Sequence, residues 1–310
     1  MTFFQSGALL FLYMETMSHV GAAESAIVDL AIQRNPLTQW PMIQSTSLKG
    51  SLRAAAPGKV DNPDVKLVFG AGAANGDNAG SLSVGDASLL AFPVASLAGV
   101  FGWVTCPLAL RDCWRTMAFL PGSGAEAADL AMLDALAVWP ADTKEDVALH
   151  AKDCELVTND RIVLQDMLLF PRQDDRIEPF ATWLTGAAQP GTDAIRAKLK
   201  RDLLIVHDDV FADLVEGGVH IATRVQIKPE TGTVGQGPWD EELLPAETIL
   251  YAPLQARFLD PKKGTPNVPD LDGVIPYVSD YILADSRRFQ IGAGSTIGWG
   301  IAAGTVYNVQ

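Results

Sequence analysis

The chain of 310 residues carries 37 acidic and 23 basic side chains, a formal net charge of −14, with 48% hydrophobic and 19% charged residues. That is the balance of an ordered acidic globular protein, and it excludes a disordered or fibrous chain. Taken as one number, the charge opposes non-specific binding to nucleic acid or anionic membranes.

From the N-terminus, the apolar run Ala8 to Met14 follows no Lys or Arg and is too short to cross a bilayer, so it reads as a buried strand and no membrane partner is expected. Ala26 to Ile32 is a second apolar run, with Asp29 inside it, and Trp40 to Ile43 a third. Ser45 to Ala55 then reads as a helix, with Ser45 or Thr46 as N-cap and Lys49 and Arg53 four apart on one face. Strand, turn, strand and helix make an α+β opening.

Asp61 to Gly80, rich in Gly, Asn and Asp, reads as an exposed loop, and Ser81 to Val84 as a short strand. Phe101 to Leu120 reads as a core helix with its flanks, Pro107 arguing against one unbroken helix. Ala125 to Val138 is an Ala/Leu/Met-rich helix, and Asp193 to Leu204 is amphipathic. Val219 to Lys228 alternates at period two, and the turn Pro229 to Gly232 leads to Thr233-Val234 and then Trp239-Asp240-Glu241-Glu242, a hairpin pattern. From Arg287 to Ile301 come a strand, a Gly-rich loop and another apolar run. Cys106, Cys113 and Cys154 cannot all pair and match no zinc or C-x-x-C spacing, which points to a reducing, cytoplasmic compartment.

Divided along the chain, the charge is uneven: residues 1–120 hold 8 acids and 7 bases, residues 121–220 hold 19 and 9, and residues 221–310 hold 10 and 7. The acidity therefore sits in the middle of the chain, and the two ends are near neutral.

Several residues could carry chemistry. Gly292, Gly294 and Gly298 would let backbone N–H groups approach an anion, or simply form a tight loop between strands. Their spacing is one residue off the dinucleotide fingerprint, and no helix and acidic partner follow, which argues against a nicotinamide enzyme. Ser47-Leu48-Lys49-Gly50 lacks the upstream glycine of a Walker A loop; what remains is a helix start with hydroxyls and two cations, able to hold a phosphate or merely to cap a surface helix. His19 and Asp29 could act as acid and base in RNA cleavage, or Asp29 could hold a metal or orient a ribose 2′-hydroxyl. A lone His near a turn is more often structural, whereas a carboxylate among apolar neighbours needs a partner or an outlet to solvent. His207-Asp208-Asp209 reads as a solvated helix end.

Together and in this order, Ser18-His19-Val20-Gly21, Ile27 to Arg34, Trp40 to Ile43 with Ser47 to Arg53, Val68-Phe69-Gly70, Gly80 to Ala87, Pro93 to Pro107, Trp239 to Pro245 and Gly292 to Gly300 resemble the backbone RAMP subunit (Cmr-type, Cas7-like) of type III-B CRISPR effector complexes. The resemblance spans the chain and is weakest between about 120 and 215; at Ala31 and Gln44 the family often has Pro.

The resemblance implies a single α+β domain over 1–310: a modified ferredoxin-like (RRM-related) palm, a helical acidic insertion at 121–218 and a thumb-like hairpin at 219–245 that includes Arg224, Val234 and Trp239. It implies guide-RNA contacts from Ser45, Ser47, Lys49, Gly50, Arg53, Gly292, Gly294, Ser295, Thr296 and Gly298. Asp29 is then the residue for target-RNA cleavage with a divalent metal, Mg2+ or Mn2+, and His19, Glu241 and Glu242 are lesser candidates. The implied partners are guide RNA, single-stranded target RNA, head-to-tail copies of the chain, and other type III-B subunits including the large polymerase-like and the small one. Cleavage would recur at every sixth nucleotide, where the thumb interrupts the duplex. A backbone subunit that binds guide RNA without cutting is the alternative.

Overall fold

Successive side chains of a strand point to opposite faces, so a run that is apolar at every position needs cover on both sides. The computed structural model, which describes residues 6–22, 28–58, 62–71, 79–121, 126–257, 259, 264–284 and 287–307, shows that arrangement. In β1 (Ser6–Met14), Ala8, Leu10, Leu12 and Met14 enter one hydrophobic core while Leu9, Phe11 and Tyr13 enter another on the opposite face. Each of the leucines, Phe11 and Met14 contributes about 1.5–3 kcal/mol of burial free energy.

The elements that follow are α1 (Ser45–Ala55), α2 (Pro63–Phe69), β2 (Leu82–Val84), β3 (Ser88–Ala95), β4 (Phe101–Thr105), α3 (Pro107–Phe119) and α4 (Ala127–Leu136). Then come β5 (Val147–His150), β6 (Ile162–Leu164), β7 (Met167–Gln173), α5 (Ile177–Ala188), α6 (Asp193–Arg201), β8 (Leu203–Ile205) and α7 (Asp208–Gly218). The last third holds β9 (His220–Ile227), β10 (Val234–Leu243), β11 (Ile249–Ala256), α8 (Val274–Tyr277) running into a π-helical turn (Val278–Ile282), β12 (Arg288–Gln290) and β13 (Ile301–Tyr307).

Among the described residues, eleven strands form one mixed sheet in the order β12-β13-β1-β11-β3-β4-β8-β5-β7-β6, with β2 paired to β11. Leu48 and Leu52 of α1, Val65 and Val68 of α2, Phe211 and Leu214 of α7, and Val274 of α8 cover one face. Leu110 and Cys113 of α3, Leu133 of α4, Phe180 and Leu184 of α5, and Leu199 of α6 cover the other. The fold is thus mixed α+β. β9 and β10 stand apart as a two-stranded hairpin. No described helix is long and apolar enough to cross a membrane. Burial pushes the Cys106 and Cys113 thiols well above the usual thiol range, which suits packing rather than reactivity.

Four local expectations change. Ala26 to Ile32 is not a strand: residues 26 and 27 lie outside the described residues, and Leu30 and Ile32 make single bridges to Glu241 and Gly21. Trp40 to Ile43 likewise makes only the bridges Arg34↔Pro41 and Ile43↔Ala87, although Trp40 is buried edge-on to Phe211. The loop expected over 61–80 contains α2, started by Pro63 at its first position and by the Asn62 side chain, which accepts from the Asp64 N–H at 2.9 Å; residues 61 and 72–78 lie outside the described set. Phe101 to Leu120 divides at Pro107, which opens α3 after the buried strand β4.

The largest correction concerns 121–218, which is not purely helical. Its runs Val147–His150, Ile162–Leu164 and Leu203–Ile205 are too short to show a period, yet they lengthen the main sheet. Asp202, fully buried, fixes this extension: its carboxylate accepts from Lys198 (2.7 Å), Arg201 (2.8 Å) and the Glu155 N–H (3.1 Å).

Candidate RNA-processing site at the hairpin base

After β1 the chain crosses the end of the sheet, and Ser18 to Val20 becomes a junction. Ser18 exchanges backbone hydrogen bonds with Leu244, just past β10, at 3.0 and 2.8 Å. The His19 carbonyl accepts from the Ala293 N–H at 2.9 Å, and the Gly300 N–H donates to Met17 at 2.7 Å. The hairpin base and the Gly-rich loop are therefore sewn to opposite edges of one short segment. Gly292 makes the second seam possible: at φ +79° a side chain is strained, and a Cβ would stand 2.4 Å from the His19 carbonyl oxygen.

His19 is buried, and its Nδ1 lies 2.8 Å from the Glu242 carbonyl and 3.6 Å from Glu241 Oε1. A carbonyl only accepts, so Nδ1 carries the proton and Nε2 is the ring's acceptor in the neutral form. Nε2 faces Gly21, where a Cβ would come within 2.8 Å of it.

Asp29 is exposed, and its Oδ2 accepts from the Asp240 N–H of β10 at 2.9 Å. The Leu30 N–H donates to the Asp240 carbonyl (3.0 Å) and the Glu242 N–H to the Leu30 carbonyl (2.8 Å), so residues 29–30 run as one parallel rung along the outer edge of β10. The tension between Asp29 and its apolar neighbours is resolved this way: the backbone is held and the carboxylate faces outward.

Glu241 and Glu242 sit differently. Both are buried, and each faces an arginine: Arg224 Nη1 donates to Glu241 Oε2 at 3.0 Å, and Arg34 Nη2 to Glu242 Oε1 at 3.0 Å. Asp240 Oδ1 accepts from the Thr223 hydroxyl at 2.6 Å. Of the carboxylates at this base, Glu241 and Glu242 are buried, Asp240 is half-buried with Oδ1 taken by Thr223, and Asp29 is exposed. Among the described residues, the group of three or more His, Cys, Asp or Glu side chains close enough to share a metal ion is Glu145, His207 and Asp209, which does not include Asp29. Asp29 can still serve an ion of the Mg2+ type, which takes one or two carboxylates and completes its shell with water and phosphate oxygens.

In the hairpin, Arg224 stands opposite Trp239 and Ile227 opposite Val234. The Arg224 guanidinium lies 5.1 Å from the centre of the Trp299 ring, which joins the hairpin base to the Gly-rich loop. Toward the tip, Val225, Ile227 and Val234 are exposed.

The loop itself contains a 3-10 turn (Ser295–Ile297) between left-handed Gly294 and Gly298. Gly294 packs on Trp299, while the position of Gly298 is open. Ser295 and Thr296 are exposed, and their N–H groups make no hydrogen bond among the described residues.

The α1 start is more tied down than its sequence suggests. Gln44, not Ser45 or Thr46, is the N-cap; Ser45 begins the helix and its N–H donates to Asp86 at 2.7 Å. Lys49 donates to the Leu82 carbonyl at 2.8 Å, and burial, with Arg257 and Arg53 close by, lowers its pKa. Gly50 is exposed, and Arg53 is half-buried beside Lys49. Sequence reasoning gave Gln33 no role, yet its amide joins the two halves of the site: Nε2 donates to the Gly21 carbonyl and the Ser47 hydroxyl, both at 3.1 Å, and Oε1 accepts from the Gln44 N–H at 2.6 Å. Its place beside Arg34 and near Asp29 was the available signal.

A mixed sheet with this projecting hairpin and Gly-rich loop is the RAMP architecture, and the RAMP superfamily model matches residues 11–303, so the chain belongs to that superfamily. Within it the chain is a Cmr4 homologue: it is 32% identical over 307 residues to the CRISPR system Cmr endoribonuclease Cmr4 of Pyrococcus furiosus, covering 97% of this chain and 96% of that protein. It superposes on the crystal structure of oligomeric Cmr4 from Pyrococcus furiosus with a TM-score of 0.66, 27% identity and 98% coverage of both chains. A chain of the type III-B Cmr-beta complex bound to cognate target RNA, 20% identical and 98% covered on both sides, shares the fold with a TM-score of 0.72.

Proposed function

We propose that this chain is the guide-RNA-binding backbone subunit of a type III-B CRISPR effector complex and cuts complementary target RNA at six-nucleotide steps, one cut per copy. The observation that carries the reading is the Asp29 carboxylate, turned to solvent and fixed at the hairpin base by the Asp240 N–H. The full-length likeness to a protein named an endoribonuclease supports the activity. Its partners are guide RNA, target RNA, further copies of itself and the other subunits of the complex.

In a regular A-form duplex the ribose 2′-oxygen cannot line up with the 5′-leaving oxygen. The exposed hairpin tip, wedged between base pairs, frees one nucleotide to reach that geometry, and orientation then supplies much of the rate. Asp29 lies where the freed nucleotide meets the base and takes, or orients, the 2′-hydroxyl proton. A divalent ion, Mg2+ or Mn2+, held by Asp29 and phosphate oxygens would supply neutralisation of the charge that builds on the phosphate. Sequence is read by guide pairing, so the protein needs only backbone contacts; the exposed Ser295 and Thr296 N–H groups are suited to these.

The test is cleavage of a labelled complementary RNA by the guide-loaded complex. A ladder of six-nucleotide steps, abolished by Asp29→Asn with target binding intact, is expected. Normal cutting by Asp29→Asn overturns the catalytic assignment, and absence of any ladder with the wild-type chain leaves the non-cleaving backbone subunit as the function.

A further inference from the structure

We propose that Glu242, paired with Arg34, is a positioning residue that holds the Asp29-bearing segment in register on the hairpin; this rests on the cleavage reading above. Every polar group of Glu242 is committed to that task. Its N–H donates to the Leu30 carbonyl (2.8 Å), its carbonyl accepts from His19 Nδ1 (2.8 Å), its Oε2 accepts from the Ile32 N–H (3.1 Å) and its Oε1 from Arg34 Nη2 (3.0 Å). Arg34 in turn donates through Nη1 to the Gln39 carbonyl at 2.9 Å, which ties the clamp to the turn before Trp40.

The geometry is directional. Asp29 precedes the clamped residues Leu30, Ile32 and Arg34, and Glu242 lies two residues from Asp240, whose N–H donates to the Asp29 carboxylate. Leu30 is held to β10 by two backbone bonds, whereas the Ile32 N–H is held to it by the Glu242 side chain. Away from the hairpin the segment is paired to residues 20–22, the Ala22 N–H donating to the Ala31 carbonyl and the Gln33 N–H to the Val20 carbonyl, both at 2.8 Å; without the Glu242 carboxylate the Ile32 N–H and the Arg34 guanidinium lose their shared acceptor, and the rung at Leu30 is what still joins this segment to β10. Glu242, buried and already bonded through both oxygens, acts through Asp29 and does not meet the RNA.

Two measurements test this. Amide hydrogen exchange of the purified chain reports the clamp without reference to activity: Glu242→Ala is expected to speed exchange at Ile32 at least tenfold, while Glu242→Gln, which keeps an acceptor there, stays near wild type. Single-turnover cleavage by the guide-loaded complex reports its consequence. Glu242→Ala should slow cutting by about 100-fold with target affinity unchanged, since a misplacement on the order of 1 Å costs that much. Glu242→Gln should restore most of the rate with the wild-type pH profile, and Arg34→Ala with Glu242→Ala together should be no slower than Glu242→Ala alone. If Glu242→Ala proves too unstable to assemble, Arg34→Lys, which keeps the charge and loses the reach, should give an intermediate loss. Wild-type cutting by Glu242→Ala, or unchanged Ile32 exchange, overturns the clamp. A Glu242→Gln complex as slow as Glu242→Ala, with a flattened pH profile, overturns it in favour of direct chemistry. A wild-type complex that does not cut defeats the nuclease reading alone, and the exchange result still decides the clamp.

Discussion

The two sheets of this molecule obey opposite rules. In the large sheet β1 is covered on both faces, and Phe11, wholly buried, meets the rings of Trp183 and Tyr307 edge-on at 5.7 and 5.8 Å. In the hairpin, Val225 is 44%, Ile227 49% and Val234 52% exposed, while its base buries the glutamates Glu241 and Glu242 beside Leu243. Folding alone accounts for the first pattern. It does not account for the second, in which apolar side chains stay in water while glutamates are sealed in, a pattern that the proposed function explains by a tip that meets RNA and a base that holds Asp29 still.

If that contrast is right, damage to the two sheets should separate stability from function. Phe11→Ala should destabilise the fold by about 3–5 kcal/mol, read by chemical denaturation. Asp202→Asn should cost less and change the acid response. Burial raises the Asp202 carboxyl, but the hydrogen bonds from Arg201 and Lys198 outweigh it and its pKa is lowered on folding. Its stabilisation is thus present above the carboxyl's unfolded pKa and lost as pH falls through the folded one, so the variant's melting temperature should fall less on acidification than that of wild type.

Arg224→Ala removes the partner of buried Glu241, but Arg224 is 38% exposed and the pair is screened accordingly, so about 1 kcal/mol is expected. Val225→Ser with Ile227→Ser should change stability by about 0.5 kcal/mol or less, as surface changes do, yet blur the regular cleavage ladder. A large stability loss from the tip pair, with the ladder intact, would dissolve the contrast.

Much of this was legible in the residues. The uninterrupted apolar run of β1, the period-two alternation of β9 and the turn at Pro229–Gly232 each reflect a local rule, and each element formed where the rule put it. The short strands β5, β6 and β8 were not legible, because three or four apolar residues fit helix and strand equally and only the sheet edge they join decides between them. At the site, Asp29 stood out as a carboxylate among apolar residues, but the clamp on it did not. Its parts are 208 residues apart in Arg34 and Glu242, and no spacing encodes such a pair. The helix start misled for a related reason: Lys49 and Arg53 share a face as expected, but the Leu82 carbonyl that draws Lys49 inward comes from another element.

In the proposed function each copy of the chain is its own cutting site, with Asp29 at its own hairpin base. The most direct test is a complex assembled from mixed wild-type and Asp29→Asn chains at known ratios, with the labelled target ladder read band by band. Every band should fall in proportion to the fraction of variant chains, at unchanged positions and with unchanged target binding. Bands that persist when all copies carry Asp29→Asn, or that vanish together at a low variant fraction, would contradict it.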